Sequence, residues 1–138
     1  MTPQERTIYT ARVRVLGGRD GVTRSSDGRL DIRMSIPGSS GPGTNPEQLF
    51  AAGWAACFEG AMQLAARRMK VALPAGIAID AEVDLNVADE AYFLGARLKV
   101  HLPGIERSLG QAIVDAAHLA CPYSKATRGN VDVALSLA

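Results

Sequence analysis

Thr44-Asn45-Pro46-Glu47-Gln48-Leu49-Phe50-Ala51-Ala52-Gly53-Trp54-Ala55-Ala56-Cys57-Phe58 is a helix start that runs directly into a cysteine. Asn45 or Thr44 offers a capping oxygen, Pro46 suits the first helical position, and Glu47 favours the positive end of the helix dipole. The pattern predicts one long helix to about Lys70, where Arg67, Arg68 and Lys70 complement the C-terminal end. Phe50, Gly53, Cys57, Gly60, Ala61 and Leu64 recur at i, i+3, i+4 spacing, which predicts a buried stripe that includes Cys57. The many alanines and glycines would let another helix approach closely.

On either side the period changes from helical to alternating. Tyr9, Ala11, Val13 and Val15 alternate with Thr10, Arg12 and Arg14, and Leu30, Ile32, Met34 and Ile36 alternate with polar residues. With turns at Gly17–Gly21 and Ser25–Gly28, they predict an antiparallel N-terminal meander of half-buried strands. Pro37 to Gly43 reads as a flexible loop. Downstream, Ile77 to Val87 alternates more cleanly than any other segment, and Tyr92 to Leu102 is its predicted partner. A second helix carries Ile105, Leu109, Ala112, Ile113, Ala116 and Ala120 on one face, and Val131 to Leu137 forms a last strand. Pro122 disfavours helical geometry at Cys121, so that thiol is expected at the helix end. Strands, helix, strands, helix, strand is an α+β order, and 1–138 is expected to be a single domain.

Composition narrows the function classes. The chain has 138 residues with 47% hydrophobic and 21% charged, which fits a folded domain with a core. A formal net charge of +1 and dispersed arginines argue against nucleic acid or an anionic membrane as partner. The first residues show no apolar signal segment and the apolar run at Leu49–Phe58 is too short to span a bilayer, so a cytoplasmic location is expected. There a lasting structural disulfide is disfavoured, and paired use of the two cysteines, Cys57 and Cys121, would be catalytic or sensory. Two cysteines with His101 and His118 give no zinc-like spacing, so no metal is expected.

A cysteine reacts as thiolate, and with an ordinary pKa of ~8.5 only roughly 3% is ionised at neutral pH. Burial in an apolar helix lowers that fraction further. A nucleophilic Cys57 therefore needs a cation, and Arg19, on a glycine-flanked turn, is the candidate; Glu47 is a candidate anion to hold it. Glu47 and Cys57 lie ten residues apart, ~15 Å of helical rise, so they do not touch on one straight helix. Either Arg19 spans part of the gap, the helix starts after Glu47, or Arg19 and Glu47 serve the Cys57 of a partner subunit.

Gly17-Gly18-Arg19-Asp20-Gly21, Ser25-Ser26-Asp27-Gly28 with Leu30-Asp31, Thr44 to Gly53, Ala55-Ala56-Cys57-Phe58, and Cys121-Pro122-Tyr123-Ser124 with Ala126-Thr127-Arg128-Gly129-Asn130 together resemble the organic hydroperoxide resistance (Ohr) proteins of the OsmC/Ohr superfamily. The resemblance spans about Tyr9 to Val133, with Lys125 where Asn is more usual and Trp54 where Tyr is common. It implies an OsmC/Ohr-like fold of antiparallel sheets around a long central helix, in an intertwined homodimer. It also implies a thiol peroxidase acting on alkyl or lipid hydroperoxides. Cys57 would be the peroxidatic thiol, Cys121 the resolving thiol, and Arg19 and Glu47 the activating pair. No metal, haem or flavin is implied; a dithiol, dihydrolipoamide or a lipoylated protein, would restore the thiols.

Two other readings of the cysteines stay open at this point. An OsmC-branch peroxidase would show broader peroxide preference, and a non-enzymatic redox sensor would oxidise the same pair without turnover. A small-ligand module with unreactive thiols is the bland alternative, since buried cysteines are commonly inert. His118, three residues before Cys121, makes a Cys–His pair conceivable, but a polar helix face turned to solvent explains it more simply.

Overall fold

A computed structural model describes residues 5–138. Two compact units divide the chain, one ending at Pro46 and the other running from Glu47 to Ala138.

In the first unit, β1 (Val13–Leu16), β2 (Val22–Ser25) and β3 (Asp31–Arg33) form an antiparallel sheet in that order. The expected meander is present but shorter than the alternation suggested. Residues from Tyr9 to Arg12 lie outside any strand, and all of β1 is exposed rather than half-buried. Arg14 stands directly opposite Arg24, which is drawn instead into an ion pair with Asp31 at 3.0 Å. The Pro37–Gly43 loop, read as flexible, is tied down at its base. Ser35 N–H donates to Thr44 O, Thr44 N–H to Arg33 O, and Gly43 N–H to the Ser35 hydroxyl at 2.8 Å.

α1 (Pro46–Arg68) begins at the proline that signals it and, from Glu47 on, belongs to the second unit. β4 (Ala78–Ala88) and β5 (Ala91–His101) pair antiparallel along their whole length, with Leu98 opposite Ala81 and Val100 opposite Ile79. β6 (Asp132–Leu137) joins the free side of β5 in parallel, because the helical segment α2 (Arg107–Ala120) and α3 (Pro122–Thr127) carries the chain back between them. The architecture is α+β, and every pair of neighbouring strands is antiparallel except β5 with β6.

The core lies between one face of this sheet and the helices. Trp54, Phe58 and Met62 of α1 pack with Leu98 and Val100 of β5 and with Ile113, Val114 and Ala117 of α2. The buried stripe of α1 is thus Trp54, Phe58, Ala61, Met62, Ala65 and Ala66, one position round from the expected one, and Cys57 flanks it half-buried. The three large side chains choose the face; the small residues that suggested the other stripe bury too little area to compete. The same shift holds on α2, where Ala112 is exposed and Val114 and Ala117 are buried. Glu106 caps α2 by accepting the N–H groups of Ser108 and Leu109, each at 3.1 Å.

Candidate active site

Cys121 belongs to neither helix yet closes both. Its backbone is extended (φ −62°, ψ 123°), its N–H caps the end of α2 through Ala117 O, and its carbonyl accepts the N–H of Lys125 in α3. Pro122 forces this break, as the sequence suggested, and also starts a new helix at its own position. That helix was missed, although Cys121-Pro122 repeats the start signal of Asn45-Pro46.

The resulting corner sets Cys121 against α1. Cys121 is fully buried, Cys57 is half-buried, both are reduced, and the two thiols lie close enough to influence each other's ionisation. Burial pushes the Cys57 thiol above its ordinary value. The backbone N–H of Tyr123 pulls it down, while the Cys121 thiol raises it through a hydrogen bond and through charge repulsion. Taken together these influences raise the Cys57 pKa and favour the protonated thiol.

Aromatic groups frame the corner. The Trp54 indole N–H donates to the Ser124 hydroxyl at 3.2 Å, with both side chains fully buried. Phe50 meets Trp54 edge-on at 5.9 Å and Tyr123 edge-on at 6.3 Å. Gly53 makes the close approach of α3 possible, because a Cβ there would lie 2.7 Å from the Tyr123 hydroxyl. Phe50 stays half-buried beside the corner, while Trp54, Phe58 and Met62 belong to the core.

His118 is half-buried rather than simply turned to solvent. Its ring packs at 6.4 Å on Phe58, its Nδ1 is buried without a hydrogen-bond partner among the described residues, and Arg128 donates to its carbonyl. Burial first, then the Arg128 charge, hold its pKa below the ordinary 6.5, with Asp115 opposing.

Arg19 lies in a tight turn of the first unit, the 3-10 segment Gly18–Asp20. Gly17 and Gly18 adopt left-handed φ values of 79° and 59°, and a Cβ on Gly21 would fall 1.8 Å from Leu16 O. Glu47 occupies the first turn of α1. Because α1 is continuous from Pro46 past Cys57, a helix starting after Glu47 is excluded, and Glu47 lies ~15 Å along the axis from Cys57. The fold therefore unites Cys57 with Cys121 and sets Glu47 apart on the same helix.

The OsmC-like protein family matches residues 37–136. The chain belongs to this family. An organic hydroperoxide resistance protein of Xanthomonas axonopodis pv. citri is 46% identical over the full length of both chains. The organic hydroperoxide resistance protein OhrA of Bacillus subtilis is 43% identical, covering 95% of this chain and 96% of its own. Among solved structures, an organic hydroperoxide resistance protein from Legionella pneumophila superposes with a TM-score of 0.90 at 41% identity, covering 96% of this chain and 99% of the other. OhrB of Bacillus subtilis gives 0.87 at 42% identity, covering 96% and 100%. The resemblance seen in the motifs is thus matched along nearly the whole chain, and these four relatives are each named organic hydroperoxide resistance proteins.

Among the described residues, no cluster of three or more His, Cys, Asp and Glu is arranged to hold a metal, and no helix is long and apolar enough to cross a membrane.

Proposed function

We propose that the protein is a cysteine-based peroxidase that reduces organic hydroperoxides to alcohols, acting as one 1–138 domain in the cytoplasm. The observation that carries this reading is the meeting of a half-buried Cys57 with a fully buried Cys121 at the α1–α3 corner. Unequal exposure supports the roles that the motif match implies, since an incoming peroxide would reach Cys57 first. The Cys57 thiolate attacks the distal oxygen, the O–O bond breaks, and the alkoxide takes a proton and leaves as alcohol. The Cys57 sulfenic acid then condenses with the Cys121 thiol, releasing water and forming the disulfide. An external dithiol, dihydrolipoamide or a lipoylated protein, returns two electrons and two protons; no bound cofactor takes part.

Arg19 is the proposed source of the positive charge that Cys57 needs, with Glu47 orienting its guanidinium. Cys57, Cys121, Arg19 and Glu47 are the positions matched by the Ohr motifs, and their roles come from that match.

A homodimer belongs to the same proposal. The alternating apolar residues Val13 and Val15 of β1, and Leu85, Val87 and Tyr92 at the β4–β5 tip, are each at least 46% exposed in the single chain. Apolar faces of this kind are ordinarily covered by another surface, and a second copy is the occupant that the family resemblance implies.

The test is steady-state reduction of an alkyl hydroperoxide and of hydrogen peroxide with dihydrolipoamide, using Cys57→Ser as control. Cys57-dependent turnover that favours the organic peroxide supports the proposal. A reactive Cys57 without turnover would replace it with a redox sensor, and equal rates on both peroxides would move the protein toward an OsmC-type specificity.

A further inference from the structure

The thiol pair is one of two rungs joining α1 to the α2–α3 corner. Trp54 and Cys57 are three residues apart on α1, hence neighbours on its surface. Cys121 and Ser124 are likewise three residues apart across the start of α3. The Trp54–Ser124 hydrogen bond and the Cys57–Cys121 contact therefore connect the same two elements, side by side. The first rung is wholly buried, and both its polar atoms need each other there.

We infer that Trp54 is the positioning residue of the thiol pair. Through Ser124 it holds the turn that presents Cys121, together with the Tyr123 N–H, to Cys57. Phe50 supports the arrangement by touching both Trp54 and Tyr123 edge-on. Trp54 contacts no substrate and acts through Ser124. A change of Trp54 to Phe keeps an aromatic ring but leaves the Ser124 hydroxyl buried without its donor, so the turn loosens and Cys121 meets Cys57 less often. The role of this rung in a peroxide cycle rests on the function proposed above; its effect on thiol encounter does not.

An aromatic disulfide, dithiobis(nitrobenzoate), separates the two questions because it needs no peroxide. The Cys57 thiolate attacks one sulfur, the reagent's S–S bond breaks, and one thionitrobenzoate leaves with the electron pair. Cys121 gives its proton to solvent and attacks the Cys57 sulfur, expelling the second thionitrobenzoate and closing the protein disulfide. The two releases are followed in wild type, Trp54→Phe, Ser124→Ala and the double variant. Each single change is expected to slow the second release about tenfold, as loss of a buried hydrogen-bond partner implies, and the double is no slower than the slower single. The pH midpoint of the first release should also rise in both variants as the Tyr123 N–H is displaced. Should Trp54→Phe fail to fold, Ser124→Ala, which removes a single oxygen, decides alone. A wild-type second release in Ser124→Ala, additive effects in the double variant, or only one release from wild type would each overturn the inference. Two releases from wild type, with the second slowed in the variants, but no peroxide turnover would instead remove the proposed function and leave the positioning role standing.

Discussion

Two glycines of α1 offer a comparison in which the same substitution meets different surroundings. Replacing a mid-helix Gly by Ala normally stabilises by ~0.5–1 kcal/mol, because Ala loses less backbone freedom on folding. At Gly60 an added Cβ meets nothing within 4 Å, so Gly60→Ala should realise that gain in full. At Gly53 the same Cβ would lie 2.7 Å from the Tyr123 hydroxyl, 3.1 Å from Cζ and 3.3 Å from Cε2. The Tyr123 ring must withdraw, and since the residue is 39% exposed it can swing outward rather than compress the core. Doing so forfeits the edge-on pair with Phe50, worth ~0.5–1.5 kcal/mol. The helix gain and the lost contact nearly cancel, so Gly53→Ala should leave stability close to wild type, about 1 kcal/mol below Gly60→Ala. Urea unfolding at one fixed protein concentration resolves this as a midpoint difference of about 0.5 M, given an ordinary denaturant slope. Equal stabilisation by the two substitutions would refute the close packing of α3 on α1.

Phe58 is fully buried at the centre of the core, and Phe58→Ala should cost ~3–5 kcal/mol in urea unfolding; a loss under ~1 kcal/mol would contradict the packing described. The His118 imidazole is held below its ordinary pKa of 6.5 by burial and the Arg128 charge, so the unfolded chain binds the proton more readily. Its contribution is therefore full above about 6.5 and is lost as pH falls toward the depressed folded value, and His118→Phe should flatten the fall in urea midpoint across that window. Parallel pH curves for the two proteins would count against it. The Glu106 cap has its carboxyl lowered from 4.5 by the Ser108 hydroxyl and by the Ser108 and Leu109 N–H groups, so its contribution is present above that pH and fades below it. Glu106→Gln should lower the thermal midpoint at neutral pH and lose its effect in acid, which a pH series of melts would show. Arg19→Ala should raise the pH midpoint of Cys57 alkylation, and an unchanged profile would remove Arg19 from thiol activation.

Where the sequence was legible, a strong local signal coincided with the tertiary demand. Pro46 begins α1, the unbroken alternation from Ile77 to Val87 lies within a strand almost throughout, and Pro122 keeps Cys121 out of the helix. The buried face of α1 was misjudged because Ala and Gly carry no preference for either side, and Trp54, Phe58 and Met62 decide the matter through long-range packing. β1 was over-extended because the alternation continues through Tyr9 and Ala11, which find no strand partner among the described residues of this chain. The parallel pairing of β6 and the burial of His118 depend on where α2 returns, which no local pattern encodes. At the site, the two cysteines and their separate settings could be read directly. The Trp54–Ser124 bond spans 70 residues and leaves no sequence signature.

The central claim is that Cys57 and Cys121 form one redox couple driven by an organic hydroperoxide. Its most direct test is to treat the reduced protein with one equivalent of an alkyl hydroperoxide and map the product by mass spectrometry. The account predicts a Cys57–Cys121 disulfide within one chain, a stable Cys57 sulfenic acid in Cys121→Ser, and no oxidation in Cys57→Ser. Recovery of two free thiols from the wild-type protein, with the peroxide unconsumed, would contradict it.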